Sequence, residues 1–382
     1  SPAFPQMRLA VSALFLMNGF VVGSWAPLIP VFADRLHLSE AALGMMILLF
    51  GLGSLAAMPV LGGLIARFGS ASVLSRAALL LVPALLFVAL APNIPLAIPA
   101  LLFFGSAAGG MDVAMNANAV VVERRMARSV MSSFHGFWSL GGLAGAGMGG
   151  LLIARLGPVG YGLAVTASAA IIAAFALPRL ARDGATANPA AGPAIRLPVT
   201  LAPYLIGIVA LFSMVPEGAV LDWGAIYLRN DLGAGLALAG SGFAAFSGMM
   251  AVMRFLGDRI RNWLGAVRTL QVCATLAFAG ILAAGLAPNA AIAVAGFAVA
   301  GIGISNAVPI AFSAAGNLPG LAPGIGLSVA TFTGYAGILV APSLIGLAAS
   351  KVGLGAVFCA LPLLLLVVLA LSGIARHADR NV

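Results

Sequence analysis

From Ala356 to Leu371 the chain runs through sixteen residues without a charge, and from Ala77 to Ala91 through fifteen. Such stretches recur along the whole length, each near the roughly 20 apolar residues that cross the hydrocarbon core of a bilayer. A backbone in that solvent must satisfy its own polar groups, which leaves helices or a closed barrel, and continuous apolar runs of this length read as helices. Charge points the same way. Only 8% of the 382 residues are charged, against about 25% in a soluble domain, and the mean hydropathy is +1.13. The 48 glycines fit this solvent as well, because small residues let membrane helices approach closely. The expectation is an all-α membrane protein whose main partner is the lipid bilayer.

Cutting the chain at charges, prolines and polar turns gives spans near 9–33, 41–66, 72–92, 96–123, 128–155 and 158–180, then 200–229, 236–257, 266–287, 289–315, 322–350 and 352–375. Between the two sets lies a polar, proline-bearing stretch with Arg182, Asp183, Pro189, Pro193 and Arg196. The expected organisation is a six-helix bundle over 1–180, a cytoplasmic linker over 181–198 and a second bundle over 199–382. With the N-terminus inside, fifteen of the 19 basic residues fall in cytoplasmic loops, and only Arg35, Arg155, Arg229 and Lys351 fall outside. That asymmetry is the positive-inside pattern, and it predicts a multi-pass inner-membrane protein with both termini cytoplasmic. Trp25, a charged turn, Gly44 and the Arg67 to Gly69 turn are echoed about 196 to 198 residues later by Trp223, a charged turn, Gly242 and the Arg259 to Gly265 turn. Two pseudo-symmetric halves place a binding site at their interface near the bilayer midplane.

Other classes find little support. A net charge of +9 is scattered between apolar spans rather than gathered on one face, so nucleic acid is not expected as a partner. Cys273 and Cys359 each sit in an apolar span, which argues against a disulfide framework. His37, His135 and His377 are too far apart in sequence to indicate a metal site, and there is no nucleotide loop or nucleophile with a base. No enzyme activity and no cofactor are expected. Without an ATP motif, the driving force must come from a gradient or from the substrate itself.

Chemistry should sit where charge is buried in a span. Of ten acids, Asp112, Glu217 and Asp222 are the ones placed inside spans and free of an adjacent basic pair. An acid near a helix centre costs about 2.5 to 3.5 kcal/mol on insertion scales and tends to persist where it faces a cavity or partner. A carboxyl that alternates between dry and wet surroundings can load and release a proton, so these three are the proton-coupling candidates. Asn116 is one helical turn from Asp112, and His135 and Trp138 share a face. With Asn18, Trp25, Trp223, Asn306 and Tyr335 they make the candidate substrate-binding set, aromatic rings giving shape and amides fixing orientation.

Several motifs resemble the major facilitator superfamily, in the branch around fucose permease and its uncharacterised inner-membrane relatives. Gly62-Gly63-Leu64-Ile65-Ala66-Arg67-Phe68-Gly69 is similar to that superfamily's cytoplasmic loop after the second span, with Ala66 in place of the usual Asp. Arg254-Phe255-Leu256-Gly257-Asp258-Arg259, after the eighth span, keeps the acid. The resemblance implies a cytoplasmic gate formed by Arg67, Gly69, Arg254, Asp258 and Arg259. Asp112-Val113-Ala114-Met115-Asn116 is similar to the acidic-x-x-x-Asn stretch of sugar/proton symporters, although the further acid of those proteins in the first span is missing here. Glu217-Gly218-Ala219-Val220-Leu221-Asp222-Trp223 looks like a stretch of the uncharacterised relatives. The glycines Gly141, Gly145, Gly149 and Gly150 look like an antiporter signature, but Ala146 stands where its proline belongs.

What this implies is a monomeric secondary transporter of the major facilitator fold, with twelve transmembrane helices, moving a small polar solute such as a sugar or related metabolite. Protons are the expected coupling ion and sodium is the alternative. The competing readings are a proton-coupled efflux antiporter and a non-transporting membrane receptor.

Overall fold

A computed structural model describes residues 4–126, 131–183, 198–319 and 325–379. Arg128, Arg196, Arg380 and most of the 181–198 linker lie outside the described residues, as do the side chains of Glu123, Arg124 and Asp258. Nearly every described residue is helical, and no strand occurs among them.

The first half contains α1 (Phe4–Gly23), α2 (Trp25–Arg35), α3 (Glu40–Phe68), α4 (Ser70–Leu81), α5 (Ala84–Leu90), α6 (Ile94–Met126) and α7 (Met131–Ala176). The second contains α8 (Ala202–Ile226), α9 (Ser241–Leu264), α10 (Ala266–Gly285), α11 (Ala290–Ile304), α12 (Ala307–Gly316), α13 (Ile325–Val352), α14 (Leu354–Ala360) and α15 (Pro362–Leu371). Paired helices such as α1 with α2, or α11 with α12, are single spans with a local break. Among the described residues, eleven stretches are long and apolar enough to cross a membrane. One of them, Ser133–Arg179, is 47 residues long and makes two spans, because Gly157 at φ 71° and ψ 172° interrupts α7. Twelve spans result, as the apolar pattern predicts.

The two halves repeat the same structural devices 196 residues apart. Gly69 and Gly265 both take positive φ, at 79° and 77°, a region open to glycine without steric cost, and each opens the helix that follows it. Gly157 and Gly353 do so at 71° and 82°. Asn93 and Asn289 each accept an N-cap hydrogen bond of 3.1 Å, from the amides of Leu96 and Ile292. Gly105 on α6 lies against the carbonyl of Phe50 on α3, and Gly301 on α11 lies against that of Phe246 on α9. Tight glycine contacts of this kind are how helix backbones come together without help from water.

The halves meet chiefly at the end that holds residues 34–44, 146–150, 229–240 and 342–346. Gly44 packs on the backbone of Pro342 and Ser343, Gly240 on the carbonyl of Ala146, and Gly150 on those of Leu236 and Ala237. Ser343 Oγ donates to the Gly44 carbonyl at 3.3 Å, and Arg229 pairs with Asp34 at 2.8 Å. At the opposite end, the bonds among the described residues stay within one half. Asp183 accepts from the amides of Ser70 and Ala71 at 2.8 and 3.0 Å. Asp379 accepts from that of Ala266 at 2.8 Å.

Candidate functional site

Which face of each helix is accessible locates the cleft. At 100° per residue, Leu211, Met214, Glu217, Gly218, Leu221 and Asp222 fall within roughly 140° of one another on α8. All of them keep accessible surface, whereas Ser213, Val215, Pro216, Ala219, Val220 and Trp223 are buried. A Cβ added at Gly218 would meet no atom within 4 Å. Because α8 is surrounded by α2, α9, α12, α13 and α15, this stripe faces an internal cleft. Helix α6 presents a matching stripe of Asp112, Val113, Asn116 and Ala117, with Met111, Ala114, Met115 and Asn118 buried behind it.

Charged and polar groups from both halves converge on this cleft. Asp112, Glu217, Arg254 and Tyr335 each stand at least nine residues from either end of their helices, about 13 Å of helix rise. Asn116 Nδ2 donates to the backbone carbonyl of Asp112 at 2.9 Å and to its carboxylate at 3.3 Å. Tyr335 on α13 lies within electrostatic reach of Asp112, Glu217 and Arg254. Arg254 is likewise within reach of Glu217 and His135, without an ion pair joining any of them among the described residues. The His135 ring packs edge-on against Phe15 at 5.2 Å between centroids. Asp222 shares the accessible stripe but has no hydrogen-bond or ion-pair partner among the described residues.

Arg254 departs most from its sequence-based placement. The motif around it was expected to form a loop after a span ending near 257, at the cytoplasmic gate. Instead α9 continues to Leu264, so Arg254 lies deep in the bundle. Its Nη1 donates to Ser139 Oγ at 2.8 Å, across the boundary between the halves, while its buried Nε has no partner. Ser139, one turn beyond His135 on the same face of α7, is a site residue that sequence reasoning missed. Its carbonyl also accepts from Ser247 Oγ at 2.7 Å. The remaining expected gate residues stay at the end of the bundle. Arg67 is exposed with its guanidinium over the Phe68 ring, 5.2 Å from the centroid, Gly69 shapes the turn and Arg259 is exposed. Among the described residues, the ion pair at that end of the second half is Arg261 with Asp379, at 3.6 Å.

Other expected binding residues are spent on packing. Trp25 and Trp223 are 1% and 0% exposed, away from the accessible stripes. Trp25 packs edge-on against Phe32 and Phe104, Trp223 lies beside Gly346, and both indole N–H groups are unpartnered. Their bulk and apolarity win them a place in the core in this conformation. Asn18 is buried, donating to the Ala108 carbonyl at 3.2 Å and accepting from Trp138 Nε1 at 2.9 Å, which leaves only the Trp138 ring for the cleft. Asn306 sits in the break between α11 and α12, with its carbonyl oxygen against Gly257 and its side chain beside the Cys273 thiol.

Comparison with known proteins agrees with the fold. Residues 11–342 match the Major Facilitator Superfamily model. An uncharacterized MFS-type transporter of Yersinia pestis is 37% identical over 96% of this chain and 94% of its own length. The membrane protein MosC of Rhizobium meliloti is 31% identical over 92% of this chain and 86% of its own. Among solved structures, the nucleoside transporter NupG superposes with a TM-score of 0.71 at 13% identity, covering 96% of this chain and 98% of that one. The E. coli fucose:proton symporter FucP does so at 0.63 and 15%, over 96% of this chain and 98% of that one.

Proposed function

Because this chain belongs to the Major Facilitator Superfamily, we propose that it carries a small polar solute across the bacterial inner membrane by alternating access, coupled to protons. The bodies that move against each other are the bundles of residues 1–180 and 199–382, joined by the 181–198 linker, within a monomer. The end closed by Asp34 and Arg229 faces the periplasm. That orientation puts the basic-rich Gly69 and Gly265 end, with both termini, in the cytoplasm, as the positive-inside rule requires.

One observation carries the reading: acids from both halves, Asp112 on α6 and Glu217 on α8, lie on the stripes that keep accessible surface at mid-depth. Burial disfavours a carboxylate and water or a cation favours it, so opening the cleft to one side or the other changes how readily such a carboxyl holds a proton. Asp112, hydrogen-bonded to Asn116 and facing Tyr335 of the other half, is the coupling group of the first half. Glu217 and Asp222 serve the second half. The NupG and FucP structures are a nucleoside transporter and a sugar symporter on the same fold, which supports a polar solute of that size.

The test is Asp112→Asn in proteoliposomes. With a solute first found by thermal shift of the purified protein, uptake by wild type should rise with an inward proton gradient. In the variant that dependence should vanish while its melting temperature stays near wild type. Proton coupling that survives the substitution removes Asp112 from the mechanism.

A further inference from the structure

We propose that the transported solute carries a carboxylate or another oxyanion, that Arg254 holds it, and that Glu217 takes up the accompanying proton. This rests on the transport reading above and adds the charge of the cargo.

Arg254 is a guanidinium placed at mid-depth in a membrane bundle, where a lone charge is expensive. Among the described residues no other Lys or Arg is enclosed at that depth. A buried cation is normally matched by a carboxylate in direct contact. None is present within ion-pair distance here, because the ion pairs among the described residues, Arg229 with Asp34 and Arg261 with Asp379, lie at the two ends of the bundle. The bond from Arg254 is to the neutral hydroxyl of Ser139 at 2.8 Å, and Nε is sealed without a partner. A guanidinium offers five N–H donors in a planar fork, so most of its capacity is unmet beside the stripes that keep accessible surface. Carboxylates and phosphates match that fork two bonds at a time. A neutral sugar would leave the charge unanswered, and an ammonium would be repelled.

Glu217 supplies the link to the proton. It lies within electrostatic reach of Arg254 on the facing helix but does not touch it. The other groups facing Arg254 are His135 on α7 and Tyr335 on α13, with Asp112 beyond Tyr335. When ionised, Glu217 is the anion that balances Arg254 in the empty cleft. An incoming oxyanion competes for the same charge, and protonation of Glu217 removes the competitor. Empty, the pair Arg254 and Glu217 sums to zero. Loaded with one proton and one monovalent anion, the pair with its solute again sums to zero, so neither form carries net charge from Arg254 and Glu217 through the closed state.

The experiment measures melting of the purified full-length chain against three hexose derivatives of similar size, glucuronate, glucose and glucosamine. It adds a panel of small carboxylates and sugar phosphates at millimolar concentration. Anions alone should stabilise the protein, and more strongly as the pH is lowered. Arg254→Gln should abolish the effect. Arg254→Lys, which keeps the charge but loses the fork, should weaken it about ten- to hundredfold while melting like wild type without solute, and it carries the test if the Gln variant does not fold. Glu217→Gln should keep anion binding and lose its pH dependence. Stabilisation by glucose or glucosamine that Arg254→Gln leaves unchanged, or no stabilisation by any anion, overturns the proposal. Failure of every solute to exchange across proteoliposomes would instead defeat the transport reading and leave anion binding at Arg254 standing.

Discussion

Asp183 and Asp379 stand 196 residues apart and perform the same task in the two halves. Each carboxylate reaches back to the first turn of a helix that begins beside a glycine of positive φ. Asp183 accepts from Ser70 and Ala71 at the start of α4, and Asp379 from Ala266 at the start of α10. A helix N-terminus has unpaired amides and a partial positive charge, and a carboxylate answers both. Asn118 on α6 reinforces the first of these clasps by donating to Ser70 Oγ at 2.8 Å and to the Ala181 carbonyl at 2.9 Å.

The Asp183 clasp should make stability depend on acid pH. Burial pushes this carboxyl up, but donors from Ala71 and Ser70 outweigh it and hold it below its ordinary value. A group depressed in the folded state contributes stability that is fully present above its unfolded value, about 3.9, and that is lost as pH falls through the lower folded value. Asp183→Ala should cost about 0.5 to 1 kcal/mol at neutral pH, discounted for partial exposure. Melting curves of the two proteins should draw together as the pH is lowered from neutral to below the unfolded value of about 3.9. A gap that does not narrow as the pH falls past that value would show that the carboxylate charge is irrelevant.

The part of the fold set by solvent was legible in the sequence, and the part set by packing was not. Apolar length and the distribution of arginines predict twelve spans because lipid imposes those rules on each segment separately. The placement of Arg254 was misread because a charge next to Phe255, Leu256 and Gly257 looks like a span boundary, whereas α9 carries it inside. Trp25 and Trp223 were read as ligands because indoles often line cavities, yet their orientation depends on which neighbours leave room for them. Asp112, Asn116 and Glu217 lie on the accessible stripes because helical periodicity, which sequence does show, fixes their face. Ser139 gave no signal of its own, since its role comes from a partner 115 residues away.

Gly105 and Gly301 should tolerate substitution equally badly. A Cβ at either would run into a backbone carbonyl, of Phe50 or Phe246, which cannot rotate aside as a side chain can. Gly105→Ala and Gly301→Ala should each destabilise the protein by about 1 to 3 kcal/mol or more. Ala at Gly218, which faces open space, should leave melting unchanged. Equal melting of all three variants would mean that the helices separate freely at these crossings.

The Asn18 to Trp138 hydrogen bond should show strong coupling. Trp138→Phe removes the donor and leaves a buried amide oxygen unanswered, at a cost of about 1 to 3 kcal/mol. With Asn18→Leu already in place the same change should cost much less, because no acceptor remains. A double-mutant cycle of melting free energies reads the difference. Additive effects would show that the indole is held by packing alone.

Arg229 and Asp34 join the two halves at the closed end, and their geometry limits what the pair can do. Asp34 is 61% exposed and Arg229 32%, so the interaction is worth at most about 1 kcal/mol and is screened by salt. That is too little to hold the transporter shut, but enough to change the ratio of two conformations up to about fivefold. Ser343 is a suitable reporter, because its hydroxyl bonds to Gly44 at the same closed contact and must be exposed when that end opens. In a background with Cys273 and Cys359 replaced by serine, Ser343→Cys should react several times faster with a membrane-impermeant thiol reagent once Asp34→Arg is introduced. The exchange Asp34→Arg with Arg229→Asp should return the rate to its starting value, because attraction is restored with its sign reversed. High salt should shrink both differences. A rate indifferent to the charges would assign closure entirely to the glycine contacts of Gly44, Gly150 and Gly240, whose van der Waals packing does not respond to ionic strength.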